Sequence, residues 1–403
     1  MSGLDHRVGE LTVRALRADG TPISGPATVR QLNHAFGFGN IGFELMDVAT
    51  GGRGEARATD AWLGLFNQAT LAFYWRGFEP DEGEPHTERL LTAASWFAQH
   101  GVRLKGHPLV WHTLAPQWLM GRPLAEVEAA VRARIARDVS GFAGVIDEWD
   151  AINEAVIMPR FTAEANAITP LAVELGPVEM VRLAIETARD ANPAAKLVLN
   201  DFLLTEEYAQ LIEDCLAAGV APDAIGLQTH MHQGFRGEDE LGAILERFGA
   251  FGLPLQLTET TLVSGDLMPR EIVDLNDYQV EHWPSTRGGE ERQADEVLRH
   301  YRTALAHPLV ESVTYWGLCD GDMWLGAPAG LLREDGSRKP AYDALHGLVR
   351  DDWWVAPHTA VPNSDGTLAV TGWAGTYVIE AAGASAEVAV VAGESAAIDV
   401  TLS

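Results

Sequence analysis

Residues 149–156 read WDAINEAV. The first half is an apolar run of the kind that forms a buried strand. It then stops on an amide and a carboxylate, Asn153 and Glu154. An unpaired buried charge is costly, so a core strand that finishes on one finishes at a site. Seven other runs share this grammar. They are HAFGFGN (34–40), NQATLAF (67–73), RLKGHPLVW (103–111), KLVLNDF (196–202), AIGLQTHM (224–231), PLQLTETT (254–261) and SVTYWGLCD (312–320), with DEWDAINEA (147–155) around the opening stretch. Amphipathic helical patterns lie between them, among them TERLLTAASWFAQHG, PLAEVEAAVRARIARDVSG, ITPLAVELGPVEMVRLAIETARDAN and EEYAQLIEDCLAAG. Strands alternating with helices imply a parallel sheet, and eight strands close a (β/α)8 TIM barrel. The polar ends are the C-terminal ends, and in such a barrel they meet on the face where ligands bind.

Length and composition agree with this reading. The chain has 403 residues, 47% hydrophobic and 21% charged. It can bury a large core and leave a smaller unit besides. The net charge of −28 repels phosphate backbones and anionic lipid, so neither nucleic acid nor membrane is expected as a partner. The two cysteines, Cys215 and Cys319, stand in apolar surroundings and are expected as free thiols. The start MSGLDHRVGELTV has no basic segment followed by an apolar one, and no apolar run reaches membrane-spanning length. A cytoplasmic protein is expected, or a secreted one from which a leader has been removed.

The two ends of the chain have a different pattern. Residues 10–33 alternate and turn at Asp19-Gly20. Residues 358–403 hold the alternating runs GTLAVTGWAG, TYVIEAAG, SAEVAVVAG and AAIDVTLS. These read as antiparallel strands. Asp19–Val29 and Asp365–Tyr377 resemble the two halves of a carboxypeptidase-regulatory-like β-sandwich. The expected organisation is therefore a small antiparallel β-sandwich from the N- and C-terminal segments (1–33 and 351–403), with the barrel (34–350) inserted between its halves. It could bind glycans, mediate self-association or merely cover the barrel's base; cover is the expected role, and Trp353, Trp354 and Trp373 are its only candidates for an exposed aromatic cluster. The long irregular stretch 262–292 follows the seventh strand and is expected to form a wall or lid.

Glu154 and Glu259, at the ends of the fourth and seventh strands, are a candidate pair for glycoside hydrolysis. One carboxylic acid protonates the leaving oxygen and the other attacks the anomeric carbon or activates water. Their pKa values must be split for this. Asn153 would hydrogen-bond a sugar hydroxyl or orient the acid, and His230 would hold the nucleophile. Trp111, Trp316 and Trp324 would offer apolar platforms for sugar rings.

GHPLVWHTLAPQWL (106–119), WDAINEA (149–155), LNDF (199–202), GLQTHMH (226–232), LTET (257–260) and WGLCDGDMWL with GLLREDGSRKPAYDAL (316–345) together resemble glycoside hydrolase family 10, over roughly residues 34–350. The resemblance implies a retaining enzyme of the endo-β-1,4-xylanase kind. It needs no cofactor and no metal, and its partner is a carbohydrate or glycoside substrate. It assigns Glu154 as general acid/base and Glu259 as nucleophile. His107, Trp111, Asn153, Gln228, His230 and Trp316 would hold the reacting sugar. Two segments depart from the family pattern. Where an ENxMKW-like motif is expected, TLAFYWRGFEP (70–80) puts Thr70, Leu71 and Tyr74 at the polar positions and keeps Trp75. After the nucleophile, Thr261 replaces an aspartate that supports the neighbouring histidine. The altered glycone motif opens a second reading, an exo-acting or aglycone-directed β-glycosidase on short oligosaccharides or plant glycosides. Two readings from other classes compete. His107, His112, Asp201, His230 and His232 could serve a metal-dependent barrel hydrolase, or the barrel could be a non-catalytic carbohydrate-binding protein.

Overall fold

The computed structural model describes residues 3–52 and 56–402. Eight parallel strands close a barrel in the cyclic order β10-β3-β4-β5-β6-β7-β8-β9. They are β3 (Gly37–Ile41), β4 (Gln68–Ala72), β5 (Arg103–His107), β6 (Glu148–Asn153), β7 (Lys196–Asp201), β8 (Ala224–Met231), β9 (Leu255–Leu262) and β10 (Val310–Tyr315). The TIM barrel expected from the polar strand ends is present, and each of the eight runs supplies one strand. The C-terminal tails of several runs, such as PLVW after β5 and WGLCD after β10, lie beyond the strands in the loops of the active face.

The burial of these strands shows why they read as continuous runs. All eight residues of β9 are buried, polar ones included. A strand in a parallel barrel faces packed side chains on the inside and helices on the outside, so neither face sees water. Helices including Thr87–Gln99, Leu124–Gly141, Glu206–Ala217 and Arg287–Ala306 form the outer layer. The long helical pattern after residue 167 divides into Ile168–Leu175 and Pro177–Ala191. Pro177 has no N–H for the first helix and disfavours helical geometry at the residue before it.

The chain ends build two further sheets. One has the order β12-β1-β15 and the other β11-β2-β13-β14, with β1 (Val8–Leu16), β2 (Ala27–His34), β11 (His358–Ala360), β12 (Thr367–Trp373), β13 (Gly375–Ala381), β14 (Ala384–Val390) and β15 (Ser395–Thr401). Residues of β1 alternate between inside and outside, the mark of a strand with one solvated face. All pairings are antiparallel except one: β1 and β15 run parallel. The sandwich has its own core, including Leu11, Val13, Val29, Val370, Tyr377, Ile379 and Val388. Its halves meet at two aspartate–glycine turns, where the Asp19 and Asp365 carboxylates each accept the backbone N–H two residues on. Gly366 sits at φ 84°, and a Cβ there would lie 2.7 Å from the Ala15 carbonyl oxygen, so only glycine turns the chain here.

The sandwich covers the N-terminal end of the barrel, away from the active face. Trp353 and Trp373 are buried there, with Trp353 stacked on Phe38 at 6.0 Å. Arg7 donates hydrogen bonds to the Leu305, His307 and Val310 carbonyls around the start of β10. The stretch after β9 packs Val263, Met268 and Trp283 against Met323, Ala327 and Ala329 of the loop after β10. It forms a wall with its own small core.

Candidate active site

The C-terminal strand ends bring most of the candidate residues into one hydrogen-bonded constellation. Glu154 follows β6 directly, in the left-handed region at φ 59°. Such a conformation is strained for a residue with a side chain. The turn is held at two points by β7. The Glu154 N–H donates to the Asn200 carbonyl (2.8 Å). The Asp201 carboxylate accepts from the Val156 N–H (3.2 Å) and from the Leu203 N–H (2.9 Å). Asp201, at the end of β7, thereby ties two neighbouring turns together.

The Glu154 carboxyl accepts hydrogen bonds from Trp111 Nε1 (2.9 Å), Asn153 Nδ2 (3.2 Å) and Gln228 Nε2 (3.4 Å). Burial pushes its pKa up to about 8, with the Trp111 hydrogen bond opposing and the negative charges of Asp201 and Glu259 adding to the rise. A carboxyl so placed keeps its proton at neutral pH and can donate it. Asp201 is itself pushed up to about 6 by burial, against its backbone hydrogen bonds.

Glu259 on β9 is buried among donors. One oxygen accepts from Asn200 Nδ2 (3.1 Å) and the other pairs with His230 Nε2 (3.1 Å). His107 Nε2 stands 4.0 Å away. Asn153 joins the two carboxyl groups. Its carbonyl oxygen accepts from Asn200 Nδ2 (2.7 Å) and Gln228 Nε2 (3.1 Å), while its amide nitrogen donates to Glu154. A shared scaffold of amides therefore sets the position of both carboxyls.

Two supporting contacts fix the imidazoles. His107 Nδ1 pairs with Asp150 (2.8 Å), which also binds the buried Lys105 ammonium at 2.6 Å. Burial would raise the Asp150 pKa, but Lys105 and His107 outweigh it and hold the carboxyl below its usual range. His230 Nδ1 meets the Thr261 hydroxyl at 3.1 Å. The threonine thus occupies the supporting position without supplying a charge.

Trp316 stands edge-on to His107 with ring centres 5.2 Å apart. Trp324, 36% exposed, lies over His230 and His232. The divergent strand-two motif has a different outcome from its sequence pattern. Thr70 and Leu71 are buried, and only Tyr74 reaches the cleft, packing against His107 and Trp111 at 5.7 and 5.6 Å. Asn200, Asp150, Lys105 and Phe43 complete the site and were not among the residues expected to line it. LNDF and WDAINEA carry Asn200 and Asp150 in full view as polar residues within strands. Phe43 gives no such signal.

His112 and His232 are buried, and burial lowers both to about 3, with the charge of His230 adding to the fall at His232. They are neutral imidazoles packed against aromatic rings, His112 on Phe161 and His232 near Trp283 and Trp324. Among the described residues no three histidine, cysteine, aspartate or glutamate side chains converge as metal donors. Nor, among the described residues, is any helix long and apolar enough to cross a membrane.

Comparison with known proteins agrees with this geometry. The chain is 25% identical over 285 residues to "Endo-1,4-beta-xylanase 3" of Hypocrea jecorina, covering 68% of this chain and 73% of that protein. It is 24% identical to "Anti-sigma-I factor RsgI6" of Acetivibrio thermocellus over 86% of this chain and 41% of that one. Among solved structures, a GH10 protein from Paenibacillus barcinonensis aligns with TM-score 0.65 at 23% identity, over 78% of this chain and 95% of that one. Xylanase 10B from Thermotoga petrophila in complex with xylobiose aligns with TM-score 0.61 at 23% identity, over 79% and 95%. The family model of glycosyl hydrolase family 10 matches residues 61–347. That match runs from β4 through β10 and takes in both carboxylates and their amide scaffold, and the chain therefore belongs to glycosyl hydrolase family 10.

Proposed function

We propose that this chain hydrolyses β-linked, xylose-type glycosides with retention of configuration, Glu154 acting as general acid/base and Glu259 as nucleophile. The observation that carries the reading is the asymmetry of the two carboxyl groups. Burial keeps Glu154 protonated at neutral pH. Glu259 is held at both oxygens, one by Asn200 and the other by His230, which fixes the carboxylate for attack. In the first step a Glu259 oxygen attacks the anomeric carbon while the Glu154 proton passes to the leaving oxygen. In the second, Glu154 takes a proton from water, and the hydroxide formed displaces Glu259. His107, Asn153 and Gln228, the polar side chains beside the two carboxyls, are assigned to the hydroxyls of the reacting sugar, with Trp111 and Trp316 as its apolar neighbours. The xylanases among the similar proteins support a xylose-type substrate.

Two variants and a mechanism-based inhibitor test the assignment. Glu259→Ala should lose turnover by several orders of magnitude and still bind substrate. An activated 2-deoxy-2-fluoro glycoside should add its sugar's mass to Glu259 and to no other residue. Full activity in Glu259→Ala would overturn the mechanism. Wild-type protein that binds xylo-oligosaccharides without cleaving them would establish the binding-protein reading instead.

A second reading concerns length of substrate. Tyr74 stands at the cleft where the family motif has a polar chain, and this favours short oligosaccharides or aryl glycosides over polymeric xylan.

A further inference from the structure

We propose that Phe43, Tyr74 and Trp316 form a rigid wall that ends the cleft one sugar ring from the nucleophile, so that the enzyme removes a single sugar from the non-reducing end of a β-glycoside. The inference rests on the glycosidase reading above and adds the determinant of its substrate class.

The wall stands on three neighbouring strands, β10, β3 and β4. Phe43 lies edge-on to Tyr74 (5.7 Å) and to Trp316 (5.8 Å), both at 78° between planes. Tyr74 and Trp316 each stand edge-on to His107, at 5.7 and 5.2 Å. The three rings and the imidazole therefore form a closed circuit of contacts, in the geometry aromatic pairs prefer. His107 Nε2 is 4.0 Å from Glu259. One imidazole is all that separates the nucleophile from the wall. The acid, Glu154, lies at the end of β6, on the far side of β5, where the leaving group must be. The wall thus faces the glycone.

The wall is fastened from behind. The Glu44 carboxylate accepts the Leu318 N–H (2.7 Å) and the Cys319 N–H (3.1 Å), tying the loop after β3 to the loop that carries Trp316. Asn40 donates to the Gly317 carbonyl at 3.1 Å. On the other side the Gly42 N–H donates to the Thr70 carbonyl, and a Cβ on Gly42 would lie 2.8 Å from Leu71 and 2.9 Å from Phe97. This pairing brings the loop after β3 against the end of β4, and Phe43 stands edge-on to Tyr74 there. Burial, with the charges of Glu259 and Glu154, holds the Tyr74 phenol well above its ordinary pKa. It is a neutral donor close to both carboxyl groups, able to bind a hydroxyl of a terminal sugar and unable to form the ionic contacts of a lysine.

Paired aryl glycosides test the wall on the intact protein. Initial rates are compared for nitrophenyl β-xyloside, which puts one sugar on the glycone side, and nitrophenyl β-xylobioside, which puts two. The β-glucoside and β-cellobioside form a parallel pair. The expected kcat/KM favours the one-sugar member of the hydrolysed series by about tenfold or more, the scale on which a shaped apolar pocket discriminates. Phe43→Ala should raise the rate on the two-sugar member and shrink the ratio. If the wild-type protein prefers the two-sugar substrate the proposal is overturned, and slower hydrolysis by Phe43→Ala would then make Phe43 a platform for a second sugar. If none of the four is hydrolysed and no fluoro-glycoside labels Glu259, the glycosidase reading fails, and this inference with it. The wild-type ratio decides the matter even if the variant does not fold.

Discussion

Glu154 has two demands on it, and both come from its surroundings. Its backbone is strained at φ 59° and its carboxyl is buried near Asp201 and Glu259. The raised pKa has a consequence for stability. In the unfolded chain the group titrates near ~4.3, while in the folded protein it holds its proton until about pH 8. The native state therefore binds more protons across that window, and the contribution of Glu154 to stability falls as pH rises through it. Glu154→Gln removes this dependence. Its thermal midpoint should exceed that of the wild type at pH 8, and the gap should narrow toward pH 4. Equal midpoints at both values would mean that Glu154 ionises freely in the folded state. The functional side of the same shift is loss of kcat/KM as pH rises through about 8. At this scale much of the site was legible. A carboxylate ending an apolar run is conspicuous, and Asn153, Gln228 and His230 stand beside similar signals. Phe43 was not legible, because an aromatic residue in an apolar segment reads as core, and its place depends on the pairing of Gly42 with Thr70 of β4.

The elements follow their hydrophobic pattern closely, since a strand buried on both faces has to be apolar almost throughout. What the pattern does not reveal is which residues of a run face the barrel interior. Thr70 and Leu71 sit in a motif that carries sugar contacts in the resembled family, yet here both are buried. The stretch after β9 shows another limit. Its sequence is irregular, and nothing in it announces the contact with Met323, Ala327 and Ala329. That cluster joins the stretch to the loop after β10 through a small apolar core of their own, with Trp283 buried in it. Trp283→Ala should expose residues 262–292 to limited proteolysis while the main unfolding transition keeps its midpoint within a few degrees. A large fall in the main transition would mean that the wall and the barrel unfold together.

At the level of the whole molecule, the barrel and the sandwich share a buried aromatic seam rather than a linker. Phe38, Trp353 and Trp373 fill it, and Arg7 pins it by donating to three carbonyls while lying 5.1 Å from the Phe36 ring centre. Hydrogen bonds from a charged donor contribute more than neutral ones, and Arg7→Ala should cost about 1–3 kcal/mol of stability. Denaturant unfolding would measure it, and no change would mean that the seam is held by its aromatic rings alone. The sequence indicated that the two ends belong together, through the matching aspartate–glycine turns. It did not indicate the seam, because Trp353 and Trp373 have no periodic partner within their own segments.

The pairing of β1 sets an order in time. Its neighbours are β12 and β15, so that Leu11 lies beside Val370 and Ala396. β1 is made before the barrel and both of its neighbours after it, so its sheet does not exist until the chain beyond the barrel has been made. Through that interval Leu11 and Val13 have an apolar face with nothing to cover it, a hazard for any nascent chain. All eight barrel strands precede both neighbours in the chain. The sandwich can therefore close only after every barrel strand has been made, and a chain cut before β12 would leave β1 without either neighbour.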